Sequence, residues 1–252
     1  RDEVPPPTDP VFGYGVASGD PLPNGVILWT RITAIEPVEG QWEVSKDATF
    51  GTIATSGTFV AEAARGFTVK VDVPNLEPGT TYYYRFRALG RSSPIGRTRT
   101  APALGDRLRF AVVSCSSLPH GYFHVYRAIA ARDDIDAVIH LGDYIYEYAD
   151  GDYGSVRRSE PENSLRSLED YRERYAQYRR DRDLQEAHRQ HPFICIWDDH
   201  EYADNAFRDG ANGDNKDLQP WPEQSKAGSQ AYSEWIPIRD QADGRIWRGL
   251  RY

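Results

Sequence analysis

Two patterns of apolar residues divide the chain near residue 100. Before this point, short segments alternate apolar and polar positions and are separated by turns that contain glycine or proline. Residues 67–73 alternate strictly, which places phenylalanine and three valines on one face, as in a half-buried strand. Residues 26–32 and 41–44 follow turns and also have the composition of strands. The first part of the chain is therefore predicted to be all β.

A corner of the fibronectin type III kind is indicated at residues 76–86. Leu76, a Glu-Pro-Gly turn and Tyr82 precede an alternating strand there, which is typical of antiparallel β-sandwiches. We therefore expect a small all-β sandwich, similar to a fibronectin III domain, over residues 11–103. Residues 1–10 are rich in proline and charge, and they are predicted to form a lead-in without a catalytic role.

After a short linker near residues 99–106, apolar runs alternate with helical periodicity, which predicts an α/β domain over residues 104–252. Continuous apolar runs are typical of parallel strands, because both faces of such strands are covered. The runs are residues 108–115, 137–141 and 192–197. Helical spacing predicts a short helix at residues 122–131 and one long helix from Ser167 to near His188. The β-α-β order predicts parallel strands with a right-handed crossover.

Side chains suited to chemistry follow each of these three predicted strands. The strand endings are Ser114-Cys115, Gly142-Asp143 and Asp198-Asp199-His200-Glu201. Because the carboxyl ends of parallel strands meet at one edge, we expect one pocket that is rich in oxygen ligands and contains a thiol. Carboxylates suit hard divalent cations, whereas a thiolate and a phenolate suit ferric iron better, so two different metals fit the set. For Asp143 alone, a helix cap is an equally good interpretation.

Charge and composition exclude some classes of function. The net charge of −8 and the isoelectric point near 5.3 argue against affinity for a nucleic-acid backbone, which requires clustered lysine and arginine. No apolar run approaches the roughly 18 residues of a membrane span, so no transmembrane segment is predicted. Cys115 and Cys195 lie at or near the ends of apolar runs, which is unlike a disulfide framework. The absence of methionine, even at position 1, predicts that an initiator has been removed, with or without a leader.

Three motifs together resemble the PhoD-type alkaline phosphatases of the calcineurin-like metallophosphoesterase superfamily. The motifs are residues 16–21 (Val-Ala-Ser-Gly-Asp-Pro), 140–147 (His-Leu-Gly-Asp-Tyr-Ile-Tyr-Glu) and 197–201 (Trp-Asp-Asp-His-Glu). The resemblance implies a fibronectin III-like domain followed by an α/β metallophosphatase domain, itself part of a four-layer α-β-β-α sandwich. It also implies hydrolysis of phosphate monoesters or diesters with Fe³⁺ and Ca²⁺. The substrate would be a small phosphate ester or a phosphodiester polymer, and the location secreted or periplasmic.

The resemblance assigns metal ligands to positions in this sequence. Cys115, Asp143 and Tyr146 would hold the iron, and Asp143 would bridge to a calcium ion that Asp199 also binds. Asp199 stands where the wider superfamily usually has asparagine.

Further roles are expected around these ligands. His200 would lie beside the substrate, where it could hydrogen-bond a phosphoryl oxygen or protonate the leaving oxygen. Asn205 would supply an amide donor or a calcium ligand, and His140 would donate a hydrogen bond to the carboxylates that hold the metals. Tyr144 and Cys195 are expected in the core. The remaining histidines are expected to be solvated or in loops: His120, His124, His188 and His191.

Members of the family continue beyond the Asp-Asp-His-Glu motif and complete the metal site with later histidines, whereas this chain has no histidine after His200. The metallophosphatase domain is therefore expected to be incomplete, with a further segment or a second chain supplying the rest. Two alternatives remain open. One is a phospholipase D-like or nuclease-like phosphodiesterase of the same superfamily, and the other is an inactive fragment that binds cations and a polymer.

Overall fold

The computed structural model describes residues 9–103, 107–211, 220–241 and 244–249. Most of the predicted lead-in and the end of the predicted linker, residues 104–106, lie outside these ranges. The strands are β1 (Val16–Leu22), β2 (Gly25–Arg31), β3 (Val38–Ser45), β4 (Thr55–Ala61), β5 (Thr68–Pro74), β6 (Thr81–Ala88), β7 (Arg91–Ser92), β8 (Gly96–Arg99), β9 (Phe110–Val113), β10 (Ala137–His140) and β11 (Pro192–Cys195). The α-helices are α1 (His124–Ala130), α2 (Leu168–Arg180), α3 (Arg182–Gln190) and α4 (Trp221–Trp235).

The N-terminal strands form two sheets around one apolar core. One sheet has the order β4-β3-β6-β7, with β8 also paired to β6, and the other contains β1, β2 and β5. Val26 and Leu28 of β2 and Tyr84 and Phe86 of β6 are buried in the same apolar cluster, because alternate side chains of each strand point inward. The prediction of an all-β N-terminal part is confirmed.

The predicted corner is present between β5 and β6. Tyr82 is buried, and its hydroxyl accepts a hydrogen bond of 2.9 Å from the backbone N–H of Glu77. Leu76 is buried beside it in the same core. The tyrosine therefore ties the turn to the strand that follows it.

β1 joins the two parts of the molecule. It pairs antiparallel with β2 and parallel with β11, so that a six-stranded sheet runs in the order β5-β2-β1-β11-β10-β9. Gly19 of β1 lies opposite Phe193, and a Cβ at Gly19 would lie 2.0 Å from the carbonyl oxygen of Pro237. The sheet thus runs across the predicted boundary at residue 103. An apolar pattern identifies a strand but not its neighbours, so it could not show this continuity.

The C-terminal strands β9, β10 and β11 are parallel, as predicted. Val138 of β10 and Phe193 of β11 are buried against the helices, whereas Val112 of β9, on the opposite face, is 59% exposed. Tyr171, Tyr175 and Tyr178 recur at helical spacing along α2 and are fully buried. The prediction of an α/β part after the β part is confirmed.

The prediction of one long helix from Ser167 to His188 is wrong. A capping box begins α2, since the side chains of Ser167 and Asp170 each accept from the other residue's backbone N–H. However, α2 ends at Arg180 and α3 begins at Arg182. Asp181 adopts an extended conformation, and its carboxylate accepts hydrogen bonds from the N–H groups of Asp183 and Leu184. This N-cap starts a new helix where the periodicity alone indicated continuation.

Two of the histidines expected to be solvated or in loops are fully buried. His188 lies within α3, which corrects the expectation for this residue, whereas His191 lies in the loop between α3 and β11. His188 Nε2 lies 2.8 Å from the hydroxyl of Tyr144, and His191 Nε2 lies 3.1 Å from the carbonyl oxygen of Ile129. Burial lowers the pKa of both, so both rings are neutral near pH 7. His120 and His124 are exposed, as predicted. Within the described ranges, no helix has the length and apolar character needed to cross a membrane.

Candidate metal centre

The three strand ends lie together at one edge of the parallel sheet. Cys115 follows β9 and Asp143 follows β10, and their loops are joined by backbone hydrogen bonds. The N–H of Cys115 donates to Gly142 O (3.1 Å), and the N–H of Ser116 donates to Asp143 O (2.8 Å). The loop after β11 approaches Gly142 so closely that a Cβ there would lie 2.5 Å from the backbone nitrogen of Asp198. Glycine is favoured at position 142 because of this close approach, and also because the residue has a φ of +111°, a conformation that is costly for other residues.

Backbone strain is concentrated at this edge. Cys115, Asp143 and Asn205 are not glycines, yet they have φ values of +56°, +54° and +52°. Such left-handed conformations are costly for residues with a side chain and persist where the surroundings hold them. Three of the residues proposed from the sequence for this site are thus held by their surroundings in conformations that they would rarely adopt alone.

Asp143 lies at the centre of the group. Its Oδ2 accepts from the hydroxyl of Tyr146 at 3.2 Å and lies 3.4 Å from Cys115 Sγ. Its Oδ1 is buried and has no hydrogen-bond partner among the described residues. A buried carboxylate oxygen without a partner is costly, and a cation at this position would satisfy it.

A second set of ligand atoms shares the same carboxylate. One atom each of Asp143, Asp199 and His200 lie within 4.8 Å of one another. Asp143 is therefore common to a set with a thiol and a phenol and to a set with a carboxylate and an imidazole. This is the arrangement that a carboxylate bridging two cations requires.

Glu147 fixes the orientation of His200. It is fully buried, and its carboxylate accepts from His200 Nδ1 at 2.8 Å and from the N–H of Asp204 at 2.6 Å. Burial lowers the pKa of His200, but the hydrogen bond and charge of Glu147 and the charges of Asp199 and Asp143 outweigh it and raise the pKa to about 9. The contact leaves Nε2 as the ring nitrogen available to the site. The sequence prediction did not assign this role to Glu147, although the residue closes the second motif.

Glu201 was also missed, and it ties two strand ends together. Its buried carboxylate accepts from the N–H groups of Asp143 (3.1 Å), Tyr144 (2.6 Å) and Asp198 (2.8 Å). Burial is the largest influence and raises the pKa of Glu201 to about 7, against the effect of these hydrogen bonds. Its position directly after Asp-Asp-His was the available signal, but a buried structural carboxylate cannot be distinguished from a ligand in a sequence.

Two tyrosines of the second motif have different surroundings. Burial, followed by the charge of Asp143, raises the pKa of Tyr146, so its phenol stays protonated without a cation nearby. The Tyr146 ring lies 4.3 Å from the ring of His200, centroid to centroid. Tyr144 points the other way, into the core, where its hydroxyl meets His188.

His140 does not make the predicted contact with the metal carboxylates. Its Nε2 lies 3.0 Å from Ser116 Oγ, and its Nδ1 accepts from the N–H of Gly142 at 3.3 Å. Both ring nitrogens are thus used within the core, because β10 turns this side chain toward the helices. Asn205 contacts the site through its backbone, whose N–H donates to Asp199 Oδ2, while its side-chain amide donates to Asp204.

These features define an α/β protein with an all-β N-terminal part and a candidate metal centre at the carboxyl edge of its parallel strands. The chain belongs to the PhoD-like phosphatase family. The profile of that family matches residues 110–252, and the profile of the N-terminal domain of PhoD-like phosphatases matches residues 2–102.

Relatives and solved structures agree with this assignment. The chain is 39% identical to alkaline phosphatase D of Bacillus subtilis (strain 168) over 263 residues, which cover 96% of this chain and 44% of that protein. A solved structure described as "Structure of PhoD" has a TM-score of 0.85 and 38% identity, covering 93% of this chain and 48% of that one. A human fibronectin type III domain has a TM-score of 0.28 and 18% identity, over 42% of this chain and 96% of that domain, which is too distant to bear on the fold. The chain therefore spans about half the length of the first two relatives.

Proposed function

We propose that this protein takes part in metal-dependent hydrolysis of phosphate esters, with a dinuclear centre of Fe³⁺ and Ca²⁺. The observation that carries the proposal is the position of Asp143, whose carboxylate belongs to both donor sets while its Oδ1 has no partner among the described residues. The name of the Bacillus relative, alkaline phosphatase D, supports the reaction class.

The chemistry of the donors supports two different ions. The set of Cys115, Asp143 and Tyr146 offers sulfur and phenol oxygen, which suit ferric iron. Asp143 and Asp199 offer carboxylate oxygens, which suit calcium, and Asn205 is proposed as a further calcium ligand or substrate donor. Two bound cations would bind phosphoryl oxygens and lower the pKa of a water molecule to make it a nucleophile.

The chain's own side chains would position the reactants. Glu147 holds His200 so that Nε2 can donate to a phosphoryl oxygen or to the leaving oxygen. Glu201 holds the loops of Asp143 and Asp198 together through three backbone hydrogen bonds. The substrate is proposed to be a small phosphate ester or a phosphodiester polymer, and the location to be secreted or periplasmic.

The test combines metal content with turnover. We expect the purified protein to bind iron and calcium, to show the visible charge-transfer band of a tyrosine bound to ferric iron, and to hydrolyse an aryl phosphate at alkaline pH. Asp143→Asn should lose the band and reduce kcat/KM by about 10³-fold or more, because both donor sets lose a charged ligand. Asp133→Asn, at an exposed turn, is the matched control and should retain both properties.

Two results would contradict the proposal. Full turnover in Asp143→Asn would exclude Asp143 as the shared ligand. Binding of cations without hydrolysis of either a monoester or a diester would instead support a protein that binds cations and a polymer.

A further inference from the structure

We infer that Tyr153 is a specificity-determining residue whose ring stacks on a planar, ring-bearing group of the phosphate ester. The inference rests on the proposed function, because the phosphoryl group must first be held beside His200. It concerns the segment of residues 150–164, which lies between β10 and α2.

The exposed ring of Tyr153 lies over the buried ring of Tyr146. Its ring lies 5.2 Å from that of Tyr146, with an angle of 20° between the planes, and 4.7 Å from that of Tyr148. Tyr146 beneath it is 4% exposed, whereas Tyr153 is 37% exposed. The His120 ring meets the Tyr153 ring at 78°, with 4.6 Å between the centroids, and the part of Tyr153 that stays exposed at the edge of the site is a favourable contact surface for another planar group.

The distance to the reacting groups fits such a contact. The rings of Tyr153 and His200 are 6.3 Å apart and inclined by 27°. Aromatic pairs interact at centroid distances of about 4.5–7 Å. Tyr153 and His200 are therefore close enough for one ligand to contact both, with its phosphoryl group beside His200 and its ring against Tyr153.

The position of Tyr153 is held before any ligand binds. A Cβ on the next residue, Gly154, would lie 2.8 Å from the carbonyl oxygen of Pro119, so the segment packs directly on the 3₁₀ turn Leu118–His120. The N–H of Val156 donates to the same carbonyl at 2.8 Å. Arg157 is buried and donates to Leu118 O (3.2 Å) and Asp181 (2.6 Å). Little ordering is then needed when a ring stacks on Tyr153, which favours affinity.

The first experiment measures binding without turnover. Phenylphosphonate and methylphosphonate differ in the ring, and calorimetry on the metal-loaded protein gives both dissociation constants. We expect phenylphosphonate to bind about three- to tenfold more tightly. Tyr153→Leu should abolish this preference, and Tyr153→Phe should keep it, because only the ring is required.

The second experiment measures the same preference in turnover. The ratio of kcat/KM for phenyl phosphate over ethyl phosphate should fall by about three- to tenfold in Tyr153→Leu and remain in Tyr153→Phe. Tyr83→Leu is a control, since Tyr83 is a half-buried tyrosine of β6 in the five-stranded sheet. Its ratio should equal that of the wild type.

Each remaining outcome has a distinct meaning. A wild-type protein without ring preference, or a preference that survives in Tyr153→Leu, overturns the inference and leaves the proposed function intact. An equal loss for both phosphonates also overturns it, because Tyr153 would then only cover Tyr146. If the wild type neither binds a phosphonate nor hydrolyses either ester, the proposed function fails and the inference fails with it.

Discussion

The antiparallel and parallel halves of the six-stranded sheet use their strand ends differently. In the antiparallel half, β1 and β2 are joined by a tight turn, and neighbouring strands end at opposite edges. In the parallel half, β9, β10 and β11 all end at one edge, which brings Cys115, Asp143 and Asp199 together. The comparison shows that strand direction, not the sheet as such, allows three separate segments to build one site.

A cavity on the five-stranded sheet does not coincide with the candidate metal centre. A cavity of about 650 Å³ lies on the five-stranded sheet, where Glu39, Gln41 and Arg87 are among its lining residues. The group of described side chains that could hold a metal lies instead at the parallel edge, around Asp143. Convergence of ligands and a buried oxygen without a partner are better indicators of this site than volume.

The largest expected loss of stability concerns Arg174, which supports the segment between β10 and α2. It is buried, and its guanidinium donates to the carbonyl oxygens of Tyr146, Tyr148, Glu160 and Pro161. Arg174→Met would leave these carbonyls without their donor, so we expect a loss of about 3–5 kcal/mol in the free energy of unfolding. Urea denaturation checks this.

The matched control for Arg174 is Arg127→Met, because the Arg127 side chain is 65% exposed in its pairing with Asp183. It should change the free energy of unfolding by less than about 1 kcal/mol. Equal effects of the two substitutions would show that Arg174 does not support the segment of Tyr146.

The next largest expected effect is a loss of stability where the antiparallel and parallel halves of the sheet meet, between β1 and β11. Gly19→Ala would place a Cβ 2.0 Å from Pro237 O and 2.7 Å from Phe193 O, and both are backbone atoms that cannot move aside cheaply. We expect a loss of about 3 kcal/mol in unfolding free energy. Gly121→Ala, where a Cβ meets nothing within 4 Å, should be nearly neutral. A stable Gly19→Ala protein would argue that β1 can separate from β11 without disturbing the fold.

Glu147→Gln tests whether Glu147 acts through His200 or through the metal ligands at the parallel edge. Glutamine keeps the shape but offers a single acceptor oxygen where Glu147 accepts from both His200 Nδ1 and the N–H of Asp204. We expect kcat to fall by about 10²-fold while iron and calcium contents stay unchanged. Metal analysis and steady-state kinetics check this together. Loss of metal in the same variant would mean that Glu147 supports the ligands and not His200.

Acid should destabilise the parallel half through its buried histidines. Burial lowers the pKa of His140 to about 3 and that of His188 well below its ordinary value. Below about pH 6.5 the unfolded chain binds protons at these histidines that the folded chain does not bind. The contribution of these neutral histidines to the free energy of unfolding is therefore fully present above this pH. As the pH decreases below it, the free energy of unfolding falls by about 1.4 kcal/mol per pH unit and per histidine.

Urea denaturation between pH 7 and pH 4 measures this slope. His188→Gln should reduce the slope by the contribution of one proton, even though it weakens the contact with Tyr144. His124→Gln, at an exposed position, should leave the slope unchanged. An unchanged slope in His188→Gln would mean that His188 is already protonated in the folded protein.

The smallest expected effect is a difference in thiol reactivity between the two cysteines. Cys115 is exposed at the metal edge, whereas Cys195 is 2% exposed and burial raises the pKa of its thiol. A thiol reagent should modify one cysteine per native chain, and bound iron should slow the reaction because it occupies Sγ. Cys195→Ala should leave this count at one, and Cys115→Ala should reduce it to zero. Two fast thiols in the native protein would contradict the burial of Cys195.

Much of the fold and part of the site could be predicted from local patterns. The alternation at residues 67–73 and the apolar runs before Cys115, Asp143 and Asp198 specify strands, since strand periodicity depends on neighbouring residues only. The break at Asp181 could not be predicted in the same way. Its carboxylate captures the N–H groups of the next turn, and this local competition is invisible to a count of apolar positions.

Local residue order predicts which residues follow the strands and what chemistry they carry: a thiol, a phenol, carboxylates and an imidazole. The folded structure is needed to see that β1 joins the two sheet halves, that Glu147 orients His200, and that Asp143 Oδ1 is buried without a hydrogen-bond partner among the described residues. The reason is physical. Residue type and period are local properties, whereas burial, hydrogen-bond partners and the meeting of strand ends depend on segments far apart in the chain.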